Sequence, residues 1–339
     1  MIPTTMKAVR QHEFGGPEVL LYEDAPLPEL RGGEVLVRVH AIGINPPDWY
    51  LREGYRMLPP KWQPHVSFPL ILGTDISGVI VAIAQDVTDF SIGDAVYSMV
   101  RFPSGMSGGS RAYAQYVGVP ASEIAHKPAS VNHVHAAGAP MSLLTAWQFL
   151  VALGHDEPNP LQPSRHEPMP LKGKTVLVNG AAGGVGHFAV QIAKLKGAHV
   201  IAIASGQHEL LLRDLGADDF IDYTKKAPEE IVRNVDLVID AVGGPTSSRF
   251  LRTIQPDGAL FPIFPLGFSD SGEAEKRGVR VSATQVRSSG AQLEEVGHLL
   301  NDGTIRVIID SVFSLADAQG AHKRAAQGHI QGKIILTVD

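Results

Sequence analysis

The sequence predicts an α/β protein made of a doubly wound parallel sheet joined to a β-rich domain, and three observations carry that reading. Through roughly the first third of the chain, short apolar runs alternate with Gly and Pro punctuation, which marks strands and turns and few helices. From about residue 130 the rhythm becomes strand, helix, strand, helix, the pattern of a parallel sheet covered on both faces. Where that rhythm begins, residues 179–186 read NGAAGGVG, a glycine-rich turn between an apolar strand and an amphipathic helix.

Composition narrows the function. The 339 residues carry 29 Lys and Arg against 35 Asp and Glu, a formal charge of −6, with 44% of positions apolar and no cysteine. At about 150 residues per domain the length suggests two domains or one large one. Mild acidity without a basic run argues against nucleic acid. The lack of cysteine excludes disulfides, thiolate zinc sites, iron–sulfur clusters and a cysteine nucleophile. The amino-terminal MIPTTMKAVRQHEF has no secretory pattern, and no window approaches the roughly 18 apolar residues of a membrane span, so the expectation is a soluble, cytoplasmic protein with no membrane partner.

The elements follow in order. Glu34–His40 (EVLVRVH) alternates at period two and predicts a half-buried strand after the Gly32-Gly33 turn. Ile71–Ala84 and Asp94–Val100 are further strands, and a helix over Trp49–Glu53 has Asp48 as its cap. Thr175–Asn179 is an apolar strand; Val185–Lys196 is a helix with Val185, Phe188, Ala189, Ile192 and Leu195 on one face and Gly197 as its stop. His199–Ala204 is the second strand, Glu209–Leu215 the second helix, and strands recur at Asp219–Ile221, Asp236–Asp240, Ala259–Ile263 and Val279–Ala283. A helix at Ala291–Asn301, a strand at Ile305–Asp310, a helix at Ala316–Gln327 and a strand at Lys333–Val338 then rejoin the first domain. Tyr55–Pro69 and Gly154–Gly173 are proline-rich insertions, non-helical inside because each proline removes a backbone donor. No repeat is visible.

In NGAAGGVG, Gly183 lets a pyrophosphate approach the backbone and Gly186 lets helix pack on strand, while the helix amino terminus presents unpaired N–H groups; a glycine-rich turn needed only for packing is the other reading. Ala181 stands where the dinucleotide fingerprint usually has its first glycine. The second strand ends at Ser205 without a carboxylate, so a 2′-phosphate is not repelled and Ser205 offers it a hydroxyl, although no Arg or Lys follows. A plain helix cap is the other reading of Ser205.

GGPEVLLYEDAPLPELRGGEVLVRVHAIGINPPDWYLREG, LGTDISGVI, SIGDAVY, LLTAW, NGAAGGVG and LGADDFIDY occur in one order and together resemble the medium-chain dehydrogenase/reductase superfamily, within it the zinc-independent quinone oxidoreductase (zeta-crystallin-like) branch. The resemblance implies a GroES-like catalytic domain over 1–126, a Rossmann NADP-binding domain over 127–290, a return segment over 291–339 completing the first, and substrate in the cleft between the domains. It places Asn45, Thr74 and Met141 where zinc members have Cys, His and Cys, so no metal is expected. His133 and His135 are expected to make solvent or loop contacts. The resemblance also implies cofactor contacts at Thr145, Ala182, Gly183, Gly184, Val185, Ser205, Tyr223, Val242, Gly243 and Lys333, has Trp147 on the helix approaching the nicotinamide, and suggests a homodimer.

Asn45, Tyr50 and Asp48, in the NPPDWY stretch that resembles the family's pattern, are the candidate catalytic residues that the resemblance implies. A hydride delivered to a quinone or to the β-carbon of an enone leaves negative charge on a carbonyl oxygen, which the Tyr50 hydroxyl and Asn45 amide are suited to stabilise, with the proton coming from water. An Asn-Pro turn at Asn45, a packed aromatic at Tyr50 and a capping role for Asp48 are the structural alternatives. The expected function is NADPH-dependent reduction of quinones or activated C=C bonds. The alternatives are a specialised enoyl or halo-alkene reductase and a non-catalytic NADPH-binding structural or redox-sensing protein. Substrate choice is expected to lie in Arg56–Val66, Arg101–Arg111 and Phe264–Ser269.

Overall fold

A computed structural model of the chain describes residues 2–107, 111–157 and 165–339; part of the second proline-rich insertion and part of the Arg101–Arg111 loop lie outside the described residues. The chain forms two compact units, Met1–Leu144 with Arg287–Asp339, and Thr145–Val286.

In chain order the first unit holds β1 (Thr5–Gln11), β2 (Leu21–Pro26), β3 (Glu34–Gly43), α1 (Pro46–Arg52), β4 (Leu70–Ile71), β5 (Asp75–Ile83), β6 (Ala95–Met99), β7 (Tyr116–Pro120), β8 (Ile124–His126) and α2 (His133–Gly138). Helix α3 (Pro140–Leu150) runs across the division. The second unit follows with β9 (Thr175–Asn179), α4 (Gly184–Leu195), β10 (His199–Ala204), α5 (Glu209–Asp214), β11 (Asp219–Asp222), α6 (Pro228–Ile231), β12 (Val235–Asp240), β13 (Ile254–Pro262), α7 (Ser271–Lys276) and β14 (Arg280–Val281). The chain then returns to the first unit with α8 (Gly290–Asn301), β15 (Ile309–Ser314), α9 (Ala318–Ala326) and β16 (Lys333–Thr337).

The second unit is a six-stranded parallel sheet in the order β11-β10-β9-β12-β13-β14, the doubly wound arrangement the rhythm predicts. Its central strands β9 and β12 are buried on both faces, which is why TVLVN and VDLVID are so apolar. Helix α4 is buried from Gly186 through Ala193, including His187 and Gln191, so it is enclosed on more than one face; Leu195, expected in the buried stripe, is exposed.

The first unit contains a sheet in the order β15-β16-β3-β5-β6-β8, with β7 on β3, and a smaller sheet β2-β1-β4. Strand β3 departs from the half-buried expectation. It pairs with β16, β5 and β7, which leaves only Arg38 exposed among its ten residues. The single strand expected over Ile71–Ala84 is two, because β4 pairs with β1 in one sheet and β5 with β3 in the other. Gly73 turns the chain between them at φ +93, with Tyr113 so close that a Cβ would lie 2.3 Å from its ring. The strand expected at Ile305–Asp310 forms instead at Ile309–Ser314, since Ile305 and Val307 are apolar for burial and not for ladder pairing.

The first division of the chain falls later than position 126. Helix α2 packs on β3, β5 and β16 of the first unit, with Ala137 buried against Ala41 and Ile335. His133 accordingly stacks on His40 of β3 at 4.6 Å and shares a 2.8 Å hydrogen bond with Ser77, in place of the solvent contacts expected of it.

Candidate active site

Strand β3 leads directly into α1, and Asn45 sits at the junction in extended conformation as the helix N-cap. Pro46 and Pro47 fill the first helical positions, where a missing N–H costs nothing. The helix therefore begins three residues earlier than expected. Asp48 is not its cap but the third residue of its first turn, where its carboxylate accepts the Asn45 N–H at 2.9 Å.

The Asp48 carboxyl is fully buried and anchors a second network. It accepts a hydrogen bond from the Tyr113 hydroxyl at 3.1 Å, and that oxygen lies 3.0 Å from His322 Nε2. His322 Nδ1 lies 2.8 Å from Arg52 Nη1. A guanidinium only donates, so Nδ1 accepts, Nε2 carries the proton, and the Tyr113 proton points to Asp48. Burial pushes Asp48 up to about 7 and, with the Arg52 charge, pulls His322 down to about 3. Arg52 also donates through Nε to the Gly15 carbonyl at 3.1 Å, so α1 is held at its carboxyl end as well.

Two of the positions assigned to zinc ligands, Asn45 and Thr74, do meet, but beside a lysine. Lys333 at the start of β16 is 3% exposed, and its Nζ donates to the Ile44 carbonyl at 3.0 Å, to Ser142 Oγ at 3.2 Å and to Asn45 Oδ1. Asn45 Nδ2 donates to Thr74 Oγ1 and to the Gly43 carbonyl, each at 3.3 Å, and Thr74 donates to Asp75 Oδ1 at 3.4 Å. Asp75 Oδ2 lies 3.8 Å from Lys333 Nζ and accepts, with Oδ1, the Met141 N–H at the start of α3. The ring Lys333–Asn45–Thr74–Asp75 is closed. Burial lowers the Lys333 pKa against the pull of Asp75 and Asp48, and raises Asp75 to about 6.

Two expectations change here. Both protons of the Asn45 amide are committed, to Thr74 and to the Gly43 carbonyl, so Asn45 is no donor to a substrate. Lys333, expected as a cofactor contact, is enclosed by protein oxygens. The same geometry tests the metal: a carboxamide already on an amino group, a hydroxyl that already accepts from that carboxamide and an adjacent lysine Nζ do not fit a zinc ion.

Tyr50 lies on α1, half-buried, with its ring 5.9 Å from Trp49 and 6.1 Å from Tyr55. Tyr55 holds a left-handed backbone at φ 51 and donates its N–H to the Tyr50 carbonyl at 2.6 Å. Burial first, then Glu53, raises the Tyr50 hydroxyl above its ordinary value, so it stays a neutral O–H donor.

In the second unit the glycines of 179–186 divide by role. Gly180 has φ +71 and faces Val242, and a Cβ on Gly186 would lie 2.0 Å from the Gly180 carbonyl oxygen. Gly183, the N-cap of α4, has an ordinary φ of −79, and a Cβ there meets only one protein atom, at 3.4 Å. Its missing side chain leaves a cradle at the amino terminus of a twelve-residue helix, beside Ala182, Gly184 and Val185, which fits the pyrophosphate of a nicotinamide dinucleotide. The buried Asp240 shapes the neighbouring turn. It accepts Asn179 Nδ2 at 2.7 Å, the Val242 and Gly243 N–H groups at 3.1 and 3.0 Å, and Ser247 Oγ at 2.6 Å. Val242 is left 60% exposed, and Gly243 turns at φ +68 where the Phe264 carbonyl leaves no room for a Cβ.

Ser205 precedes a 3₁₀ turn, Gly206–His208, without a side-chain capping bond, so capping does not use its hydroxyl. The turn is not bare of charge, as β10 alone suggests. Parallel pairing sets Ala204 beside Asp222, whose Oδ2 is 2.5 Å from where a Cβ of Gly206 would stand, with Lys225 Nζ 3.9 Å from that point. Asp222 is tied down by Thr224 and pairs with Lys225 at 3.2 Å. Tyr223 follows, 42% exposed. Thr145 is buried on α3; Trp147 lies under Lys196 at the carboxyl end of α4, the end opposite the glycine turn. Sequence reasoning missed Asp222, Lys225, Asp240, Tyr113 and His322; the signal for the first and third was an Asp closing an apolar strand.

Comparison with known proteins accords with this geometry. The alcohol dehydrogenase GroES-like domain family matches residues 31–129, and the zinc-binding dehydrogenase family residues 215–336. The chain is 34% identical to the mitochondrial NAD(P)H oxidoreductase RTN4IP1 of Danio rerio, over 99% of this chain and 92% of that protein. It is 29% identical to the chloroplastic NADPH-dependent alkenal/one oxidoreductase of Arabidopsis thaliana, over 99% of this chain and 80% of that one. The quinone oxidoreductase of Coxiella burnetii superposes with a TM-score of 0.84 at 31% identity, over 99% of this chain and all of the other. These relatives overturn the cytoplasmic placement, since those that name a compartment are mitochondrial or chloroplastic. Among the described residues no helix is long and apolar enough to cross a membrane.

Proposed function

We propose, since the chain belongs to the medium-chain dehydrogenase/reductase superfamily and to its quinone oxidoreductase branch, that this oxidoreductase uses NADPH to reduce quinones and C=C bonds conjugated to a carbonyl, without zinc. One observation carries the reading. Of the positions that hold zinc elsewhere in the superfamily, Asn45 is bonded to Thr74 and to Lys333, while α1, anchored at both ends, carries a tyrosine whose hydroxyl stays protonated. Such a site lacks a Lewis acid to stabilise an alkoxide, and it suits an acceptor whose reduced oxygen needs only a hydrogen bond.

Bound at the glycine turn, the nicotinamide dinucleotide supplies the hydride. The Tyr50 hydroxyl donates to the acceptor oxygen as charge develops there, and water supplies the proton that completes reduction. The preference for NADPH rests on Ser205, unused in capping, and on Lys225, which offsets Asp222 beside the same turn. The names of the Arabidopsis and Coxiella relatives support enones and quinones as the acceptor classes.

NADPH consumption measured against a panel of quinones, enones and simple alcohols tests the reading. Quinones or enones are expected to be reduced, and Tyr50→Phe is expected to lower turnover on the order of 10- to 1000-fold with NADPH binding unchanged. Activity confined to alcohols with NADP⁺, or full turnover in Tyr50→Phe, refutes it.

A further inference from the structure

The ring of Lys333, Asn45, Thr74 and Asp75 does no chemistry in the reading above, yet it joins the end of β3, the start of β5, the first turn of α3 and the first residue of β16. We propose that Lys333 is a positioning residue that fixes α1, and with it Tyr50, through the amide of Asn45; the inference rests on the reading of Tyr50 as the donor to the acceptor.

Three features lead there. Lys333 Nζ has three oxygen partners for its three protons, from Ile44, Asn45 and Ser142, with Asp75 as counter-charge, so the site is built for an ammonium rather than tolerant of one. Stability does not require that charge, because a buried ion pair replaced by apolar groups of similar volume is often neutral or stabilising. What the ammonium does supply is direction. It claims Asn45 Oδ1, which turns Nδ2 toward Thr74 and Gly43 and leaves one orientation for the residue that starts α1. Seven residues are too few for a helix to hold itself, so the attitude of α1 depends on its ends. Arg52 fixes the far end through Gly15 and His322. Tyr50 stands between these two anchors, and a shift of about 1 Å at a positioned group costs on the order of 100-fold in rate.

The test uses Thr74→Val, which keeps the shape and takes the acceptor from Asn45 Nδ2, together with Lys333→Met and Lys333→Met/Asp75→Asn. Each is compared with wild type by NADPH fluorescence titration, by turnover on a quinone or enone that wild type reduces, and by hydrogen exchange across Pro46–Arg52. The expected result is NADPH affinity within about threefold of wild type, turnover lower by roughly 10- to 100-fold, and faster exchange in α1. Adding Asp75→Asn to Lys333→Met is expected to recover the melting temperature and not the turnover. Unchanged α1 exchange in Thr74→Val, turnover restored with stability in the double variant, or a loss confined to NADPH affinity overturns the proposal. If Lys333→Met does not fold, Thr74→Val alone decides. A wild type that reduces none of the acceptors refutes the proposed function, and α1 exchange still judges Lys333.

Discussion

Replacing Gly186 by alanine puts a methyl carbon 2.0 Å from the Gly180 carbonyl oxygen and 2.8 Å from both Gly180 C and Ala181 Cα. All three are backbone atoms, so no side chain yields, and α4 has to back away from β9 by roughly 1 Å to reach ordinary contact. Overpacking of this kind costs about 1–3 kcal/mol, the upper end applying where only backbone gives way, which corresponds to a melting temperature lower by roughly 5–10 °C. Gly183→Ala, three residues earlier, meets only the Gly180 oxygen at 3.4 Å, on a backbone that alanine adopts without strain. Its cost to the fold is that of a weaker N-cap, about 0.5–1 kcal/mol. Its methyl nevertheless fills the cradle at the start of α4, so NADPH affinity is expected to fall at least tenfold, about 1.4 kcal/mol or more. Thermal melting together with NADPH fluorescence titration separates the two glycines. A Gly183→Ala protein that binds NADPH as wild type does refutes the assignment of the turn, and a Gly186→Ala protein that melts like wild type refutes the packing argument.

Cofactor preference is expected to follow the Asp222–Lys225 pair: Asp222→Asn raises the NADPH-to-NADH ratio of kcat/KM by roughly three- to tenfold and Lys225→Ala lowers it, and steady-state kinetics with both cofactors returning unchanged ratios would exclude that pair from the site. His322 titrates near 3 when folded and near 6.5 when unfolded, so the stability it contributes is fully present above about pH 6.5 and is lost as pH falls toward 3. Asp48 and Asp75, raised to about 7 and about 6, act in the opposite sense, their contribution growing as pH falls through those values. The diagnostic quantity is therefore the difference between wild type and His322→Gln: the variant melts lower at pH 7, and the gap narrows on acidification in melts taken from pH 7 to pH 4. A gap that stays constant would mean that His322 is not held neutral. Elemental analysis is expected to find substoichiometric zinc, with turnover retained after chelation; one tightly held zinc per chain whose removal abolishes activity would overturn the zinc-independent reading.

The parallel sheet was legible because its strands are buried on both faces and read as apolar runs: Thr175–Asn179 and His199–Ala204 form over the expected residues. The glycine turn was legible for a related reason, since strand, turn and helix are contiguous in the chain and each glycine answers to atoms within a few residues of it, such as Gly180 for Gly186. The NPPDWY segment offered a candidate donor at Tyr50 through its resemblance to the family's pattern. What surrounds Tyr50 was not legible. Lys333 reaches Asn45 across 288 residues of sequence and Tyr113 reaches His322 across 209, and no periodicity records which distant side chains share a buried volume. Asp222 and Lys225 meet the Ser205 turn only because β11 pairs with β10 in a register that sets Ala204 beside Asp222. Apolar pattern misled where burial and pairing part company, as at Ile305 and Val307, which are buried outside any ladder. The sequence by itself determined the local backbone, the order of strands and helices, and the residue types available for chemistry. Which of those residues are consumed holding the site was decided by sheet register and long-range packing, because a hydrogen-bonding group engaged inside the protein, as the Asn45 amide is, has no donor left for a substrate.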